Sequence, residues 1–447
     1  GAFPTQFSIS GGQPLAKVKR TDLGIFFQDD WNIDPKLTVS AGLRYETQTN
    51  ISSPWNFAPR FAVAYAPGAD GQNKPKTVFR GGFGVFYDRF GEDLTLNALR
   101  FNGVNQQRFI VTDPAILDAI VFTQDGVSNI PTAEMLAAFA QPQTTRIVQP
   151  DLRATYTLQT AASVERQLPF KTTFSATYTH TRVRRLLRSR NINAPFNGVP
   201  PIPDGGNIFQ YEATGRFDQD LLTINMRTNF IENVSLFGNY SFGSAKSDTD
   251  GAGTFPANSY DLTGEFGRAA IDTRHRAVFG GSISIPFGVS LRPFVIYRSG
   301  SPFNITTGED SNEDTIFTER PAFATSLSEP GIVVTRFGAF DPTPEPGDII
   351  IPRNYGRGPK YFAVNLTAAK EFSFGKVKKS ADDEADEDDE GKYKLELSIQ
   401  VRNLFNRNNG GTPVGNLSSS FFGNSVSSAG GRQSGNRRVR LEVLFSF

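Results

Sequence analysis

Cysteine is missing from all 447 residues. Its absence removes a disulfide framework, a thiolate metal site and a cysteine nucleophile in one step. Histidine is nearly missing as well: His180 and His275 stand far apart, with no second histidine or cysteine at ligand spacing. Zinc or haem capture through them is not expected, and a histidine at a strand end near a membrane rim is. There is no apolar run of the roughly 18 residues a transmembrane helix needs, and the mean hydropathy is −0.33. A helical membrane protein is thereby excluded. Neither sign of charge dominates, since 46 basic and 45 acidic residues leave a net charge of +1. No global field then points to nucleic acid or an anionic surface. No Gly-x-Ser-x-Gly elbow occurs, and no nucleophile has a base near it in sequence, so an enzyme is not expected.

The residues that are abundant belong to strands and turns: 12% aromatic, 42 Gly and 28 Pro. In a strand, successive side chains point to opposite faces, so a half-buried strand alternates apolar and polar residues. The last segment sets Val439, Leu441, Val443, Phe445 and Phe447 against Arg438, Arg440, Glu442 and Ser446. Tyr393, Leu395, Leu397, Ile399 and Val401 likewise alternate with Lys394, Glu396, Ser398, Gln400 and Arg402. Leu37, Val39, Ala41, Leu43 and Tyr45 repeat the pattern against Thr38, Ser40, Gly42, Arg44 and Glu46. Further runs begin near Leu23, Phe57, Phe79, Tyr156, Phe174, Leu222, Val234, Ala277, Val289 and Phe362. About thirteen strands follow, many near the 9 to 11 residues that cross a bilayer when tilted.

A soluble sandwich alternates too, so the connections decide. Short ones are expected at Asn32 to Lys36, Leu168 to Lys171, Phe230 to Asn233 and Pro286 to Val289. Long ones are expected at Arg89 to Asp151, Val183 to Phe217, Gly243 to Arg274, Ser299 to Lys360 and Asn403 to Arg437. Tight periplasmic turns and extended extracellular loops give a transmembrane barrel this alternation, and a sandwich has no reason for it. The expected fold is therefore an all-β antiparallel transmembrane barrel. Residues 1–20 are expected to be extracellular loop and residues 21–447 barrel wall. With a periplasmic carboxyl end, the visible strand count is odd, whereas bacterial single-chain barrels have an even number. At least one upward strand is then expected before Thr21, from missing N-terminal strands or another chain. Gly1-Ala2-Phe3-Pro4 carries no basic n-region or apolar h-region, so any secretion signal is expected upstream or removed.

Phe26-Phe27-Gln28-Asp29-Asp30-Trp31, followed by Leu37-Thr38-Val39-Ser40-Ala41-Gly42-Leu43-Arg44-Tyr45-Glu46, resembles the barrel of TonB-dependent receptors. The likeness is to the Oar-like group, which carries a carboxypeptidase-regulatory-like N-terminal domain. Ala58-Pro59-Arg60-Phe61, Val401-Arg402-Asn403-Leu404-Phe405-Asn406 and the terminal Phe447 add to it. The resemblance covers most of the chain from Asp22 onward. It implies a barrel of about 22 strands, of which these are the C-terminal part, a lumen closed by a plug, and coupling to TonB. No plug and no TonB-contacting box occur within this sequence.

Three local features invite a site. Asp310, Asn312 and Asp314 place oxygen side chains at alternate positions, the spacing with which a loop wraps Ca²⁺. Thr315 stands where an EF-hand needs Gly, and a solvated loop is the alternative reading. Arg182, Arg184, Arg185, Arg188 and Arg190 fall at an extracellular strand end. There they suit lipopolysaccharide phosphates or an anionic ligand, or simply snorkel at the rim. The acidic run Ala381 to Glu390 falls in a periplasmic turn, as a solvated block or a dock for a basic partner. The expected function is energised uptake of a bulky nutrient such as a peptide or glycan. The alternative is a structural or adhesive surface barrel that transports nothing.

Overall fold

The computed structural model describes residues 6–13, 15–70, 75–103, 105–123, 126–138, 143–203, 205–231, 233–375, 393–430 and 435–446. Thirteen long strands form one antiparallel wall. They are β1 (Asp22–Asp34), β2 (Leu37–Gln48), β3 (Asn56–Tyr65), β4 (Thr77–Tyr87), β5 (Tyr156–Leu168), β6 (Thr172–Asn191) and β7 (Asn207–Ile231). Then come β8 (Val234–Ser247), β9 (His275–Ile285), β10 (Val289–Arg298), β11 (Tyr361–Phe374), β12 (Tyr393–Arg402) and β13 (Arg438–Ser446). Each strand pairs with the next in sequence. This is an up-and-down meander, and the wall packs face to face with no second sheet among the described residues.

Register carries the alternation from strand to strand without a slip of phase. Leu441 lies opposite Ile399, Ile399 opposite Ala368, and Ala368 opposite Leu291. The same face continues through Val295 opposite Phe279, Tyr240 opposite Ile224, Leu222 opposite Tyr178 and Val164 opposite Phe79. It ends through Phe61 opposite Ala41 and Leu43 opposite Phe27. A one-residue slip anywhere would turn every later apolar side chain to the other face. The opposite face is polar. Arg440 lies beside Gln400, and Asn239 Nδ2 donates to Asn225 Oδ1 at 2.6 Å. Asn225 Nδ2 in turn donates to Ser175 Oγ at 3.3 Å, while Arg80 pairs with Glu165 at 3.1 Å. In β13, Val439, Leu441, Val443 and Phe445 share the apolar face, with Arg438, Arg440 and Glu442 on the other.

The apolar face covers itself with nothing. Phe27 is 73% exposed, Leu441 76% and Phe279 49%, exposures suited to hydrocarbon rather than water. The two clusters of fully buried apolar residues lie instead in the connections at the other ends of the strands. Phe109, Val111 and Leu136 pack with Phe7, Ile9 and Ile116. Phe303, Ile305, Phe340 and Ile351 pack with Phe323, Phe337, Tyr355, Leu417 and Phe422.

One end of the wall has tight hairpins, as between Leu168 and Thr172 and between Ile285 and Val289. Phe170, Lys171, Phe287 and Gly288 there have φ between 47° and 71°, as a sharp hairpin requires. The other end carries the long connections 88–155, 299–360 and 403–437. Two expected boundaries move. The connection read as Val183 to Phe217 is mostly strand: β6 runs to Asn191 and β7 starts at Asn207, leaving 192–206 as the loop. Likewise β8 runs to Ser247, past Gly243. Polar residues such as Thr181, Arg182, Asp218 and Gln219 disguise these extensions, because beyond the apolar band both faces are wet.

Within residues 1–20, Phe7–Gly12 pairs antiparallel with Gln106–Val111 of the 88–155 connection. Strand Gln143–Val148 of that connection pairs parallel with the start of β7. Among the described residues β1 takes β2 and β13 takes β12, and no register joins β1 to β13. The acidic run Ala381 to Glu390 and Phe447 lie outside the described residues.

Leu441→Arg is expected to cost about 2 to 4 kcal/mol of folding free energy in a bilayer, because it puts a cation on the apolar face near mid-strand. Ser398→Arg, on the polar face opposite Glu442, is expected to cost less than about 0.5 kcal/mol. Denaturant titration of the full chain refolded into lipid bilayers measures both, and equal costs would refute the assignment of faces.

Candidate functional site

The long-connection end is where the structure gathers polar chemistry. Gly415 shows how tightly those connections meet: a Cβ there would lie 1.9 Å from the carbonyl oxygen of Asn304. Only glycine permits that approach between the 403–437 and 299–360 connections. The 299–360 connection is also clamped to the 248–274 connection by three ion pairs. Arg320 meets Glu265 at 2.8 Å with both side chains buried, Arg357 meets Asp272 at 3.2 Å, and Arg353 meets Asp250. Arg268 donates to the Tyr355 carbonyl at 2.9 Å, and Asn354 Nδ2 returns a bond to the Arg268 carbonyl at 2.8 Å. A polar recess opens beside this platform, lined by Arg298, Ser301, Tyr361, Gly411 and Ser427.

Asp310, Asn312 and Asp314 sit inside that clamp, in one tight loop. The Asp314 N–H donates to Asp310 Oδ1 and to Asn312 Oδ1, each at 3.0 Å, and the Thr315 N–H donates to Asp310 Oδ2 at 2.8 Å. Thr315 has φ 66°. A β-branched residue in the left-handed region is strained. The chain thus adopts at Thr315 the backbone form that glycine usually supplies. Asn312 Nδ2 donates to Asp314 Oδ2 at 3.1 Å and to the Ala257 carbonyl at 3.1 Å, so it orients Asp314 and ties down the neighbouring connection. Asn191 Nδ2, at the end of β6, reaches the Asp314 carbonyl at 3.3 Å.

Glu319 is the residue that sequence spacing does not reveal. Its carboxylate joins those of Asp310 and Asp314, with one oxygen from each of the three within 4.8 Å of the others. Asp314 is fully buried and Glu319 is 8% exposed. Both Glu319 oxygens are buried without a hydrogen-bond partner among the described residues. Its own N–H and that of Asn312 face the carboxylate and partly offset its burial, short of hydrogen-bonding geometry. Burial, reinforced by the neighbouring carboxylates, pushes Glu319 up to about 7. Burial likewise pushes Asp314 up to about 6. The charges acting on Glu319 are those of Asp314 and Asp310, both of its own sign. Arg320, next in the chain, is turned away toward Glu265.

The arginines of β6 divide. Arg184 pairs with Asp218 at 2.8 Å, Arg188 is 1% exposed and pairs with Asp248 at 2.9 Å, and Arg190 pairs with Glu212 at 3.1 Å. Arg185, at φ 57° on a bulge, lies over the Tyr156 ring at 5.3 Å. Arg182 is exposed, two residues beyond His180 on the face that carries Tyr178. Here Asp220 accepts from Tyr178 Oη at 2.6 Å and meets His180 Nδ1 at 2.7 Å. His275 Nδ1 meets Tyr240 Oη at 2.8 Å. The structure therefore does not gather the five arginines into one cationic surface: Arg188 braces the 248–274 connection, whereas Arg182 faces outward.

A model of the outer membrane beta barrel domain matches residues 2–55 and 50–440. The chain belongs to that family, and it is a barrel protein of a Gram-negative outer membrane. Among solved structures it is similar to the outer membrane transporter YddB from Escherichia coli, at 11% identity and a TM-score of 0.55, over 95% of this chain and 45% of that one. It is also similar to the ferric enterobactin receptor PfeA from Pseudomonas aeruginosa. A PfeA mutant in complex with enterobactin gives 10% identity and a TM-score of 0.53, over 96% of this chain and 46% of that one. The chain thus spans about half the length of these structures. At such identities the likeness is one of fold. Comparison with curated proteins by sequence gives no match.

Glu265→Ala is expected to weaken the clamp by about 3 to 5 kcal/mol, since it leaves Arg320 buried and unpaired. Hydrogen exchange measures this: amides of 299–360 should lose protection while those of β10 and β11 keep theirs. Unchanged protection in 299–360 would show that the ion pair does not hold the connection.

Proposed function

We propose that this chain is the wall and outer loops of an energised outer-membrane transporter of the TonB-dependent type, of the Oar-like group. It would capture a bulky nutrient, a peptide or glycan, on the platform formed by 88–155, 299–360 and 403–437. One observation carries the reading: the longest connections are folded, with buried apolar clusters and ion pairs of their own, above a wall whose inner face is polar. Loops that serve only to join strands have no need of such cores, and a pre-built surface lowers the entropic cost of capture. Similar folds include an outer membrane transporter and a ferric enterobactin receptor, which supports the class and leaves the cargo to chemistry.

Three partners follow from the same reading. Additional strands, from the same protein or another chain, take up the edges of β1 and β13, because unsatisfied backbone groups in hydrocarbon cost several kcal/mol each. A plug gates the lumen and engages TonB. Arg182 and Arg184, with Lys246 beside Asp218, lie just past the apolar band at Tyr178, Leu222 and Phe242, at the depth of lipid head groups. There they would contact lipopolysaccharide phosphates.

Cells displaying the full-length protein should accumulate at least one member of a panel of fluorescent peptides and oligosaccharides too large for porins. A protonophore or deletion of TonB should abolish that accumulation. Surface binding that never becomes internal, with or without the protonophore, would overturn transport and favour the adhesive barrel.

A further inference from the structure

The carboxylate cluster of the 299–360 connection stands apart from any capture surface, because two of its three members are buried beneath the clamp. Burying a carboxylate without a partner is costly, and a native structure keeps such a group only when something compensates it. No compensation comes from a cation of the chain among the described residues, since Arg320 is held by Glu265 and the charges around Glu319 are negative. It does not come from hydrogen bonds either, since both Glu319 oxygens lack a partner. What remains is a proton on the carboxyl group or a positive ion bound by hard oxygen donors, and three carboxylates brought within 4.8 Å of one another suit the ion.

We propose that Asp310, Asp314 and Glu319 bind one Ca²⁺ ion, which locks the 299–360 connection onto the 248–274 connection and the tip of the β6–β7 hairpin. Calcium suits the donors better than its competitors. Carboxylate oxygens with no sulfur or imidazole exclude a preference for zinc, and Mg²⁺ demands a small regular octahedron and keeps most of its water. Asn312 is a positioning residue: through its bonds to Asp314 Oδ2 and the Ala257 carbonyl, the ion's grip on Asp314 extends to the neighbouring connection. Asn191 extends it to the hairpin through the Asp314 carbonyl, and Thr318 Oγ1 adds a bond to the Pro256 carbonyl at 2.9 Å. The ion would thus sit at the meeting point of three extracellular segments. A site of this kind, in connections bathed by the medium, works at the 10⁻⁴ to 10⁻³ M affinities typical of extracellular modules.

The test uses the full-length protein in detergent, stripped with a chelator and titrated with CaCl₂ by calorimetry, with thermal unfolding followed in parallel. The expected result is saturable binding of one ion, a rise in the unfolding temperature with Ca²⁺, and no matching rise with the same concentration of MgCl₂. Glu319→Gln should weaken binding at least tenfold and abolish the rise. In chelator it should unfold at or above the wild-type temperature, since it removes an uncompensated buried charge. That crossing of the two curves separates a lost ligand from a damaged fold. Asp314→Asn should repeat the loss of binding. No Ca²⁺ binding at millimolar concentration, equal binding by Glu319→Gln, or an equal response to Mg²⁺ would overturn the assignment.

Discussion

A backbone amide in hydrocarbon has no water to turn to, and the wall is organised around that constraint. Each of the twelve junctions between β1 and β13 is an antiparallel register between sequence neighbours, so the donors of one strand are met by the acceptors of the next. Once the ladder is fixed, side-chain alternation has only two settings, and lipid selects one. The chain from Leu441 through Ile399, Ala368 and Leu291 is the visible result. Thermodynamically the wall differs from a soluble sheet, since its apolar side chains gain little from one another and much from the bilayer.

That arrangement frees the inner face to be polar, with amides, hydroxyls and paired charges such as Arg80 with Glu165 and Arg44 with Glu46. Asn239, Asn225 and Ser175 link β8, β7 and β6 through side-chain amides and a hydroxyl, which hold neighbouring strands without drying the lumen. Among the described residues it also leaves the wall without a central hydrophobic core. The apolar residues that do cluster, around Phe109 and around Phe340, belong to connections that stand in water. There the hydrophobic effect acts in its usual direction, and the connections fold as small domains would.

The outer connections are held by a different kind of force from the wall. Their apolar clusters are small, and buried polar contacts supply much of the specificity: Arg320 with Glu265, Arg188 with Asp248, Asn312 with Asp314 and Ala257. Breaking one member of such a pair exposes the other to the full cost of desolvation. The carboxylates of Asp310, Asp314 and Glu319 stand at the junction of these contacts, where like charges meet in a poorly hydrated place. A loop platform built this way is rigid when every charge is met and loose when one is not.

The thirteen strands, their faces and the position of most turns were legible in the sequence, because a wall with one face in lipid imposes a period of two that no tertiary contact needs to complete. Asp310, Asn312 and Asp314 were legible as a group for a similar reason, being neighbours in one loop. Where the physics is not local the sequence was silent. The outer halves of β6 and β7 read as loop, since both faces of a strand above the membrane are wet and the alternation disappears. The arginines of β6 read as one cluster, but a bulge at Arg185 and acids from distant segments, Asp218, Glu212 and Asp248, separated them. Glu319 shows no spacing that marks it. Its place beside Asp310 and Asp314 depends on how the 299–360 connection folds back and is clamped, and that is decided by Arg320, Arg353 and Arg357 finding partners in another connection. Alternation is written residue by residue, whereas the meeting of charges from separate loops exists only once the chain has folded.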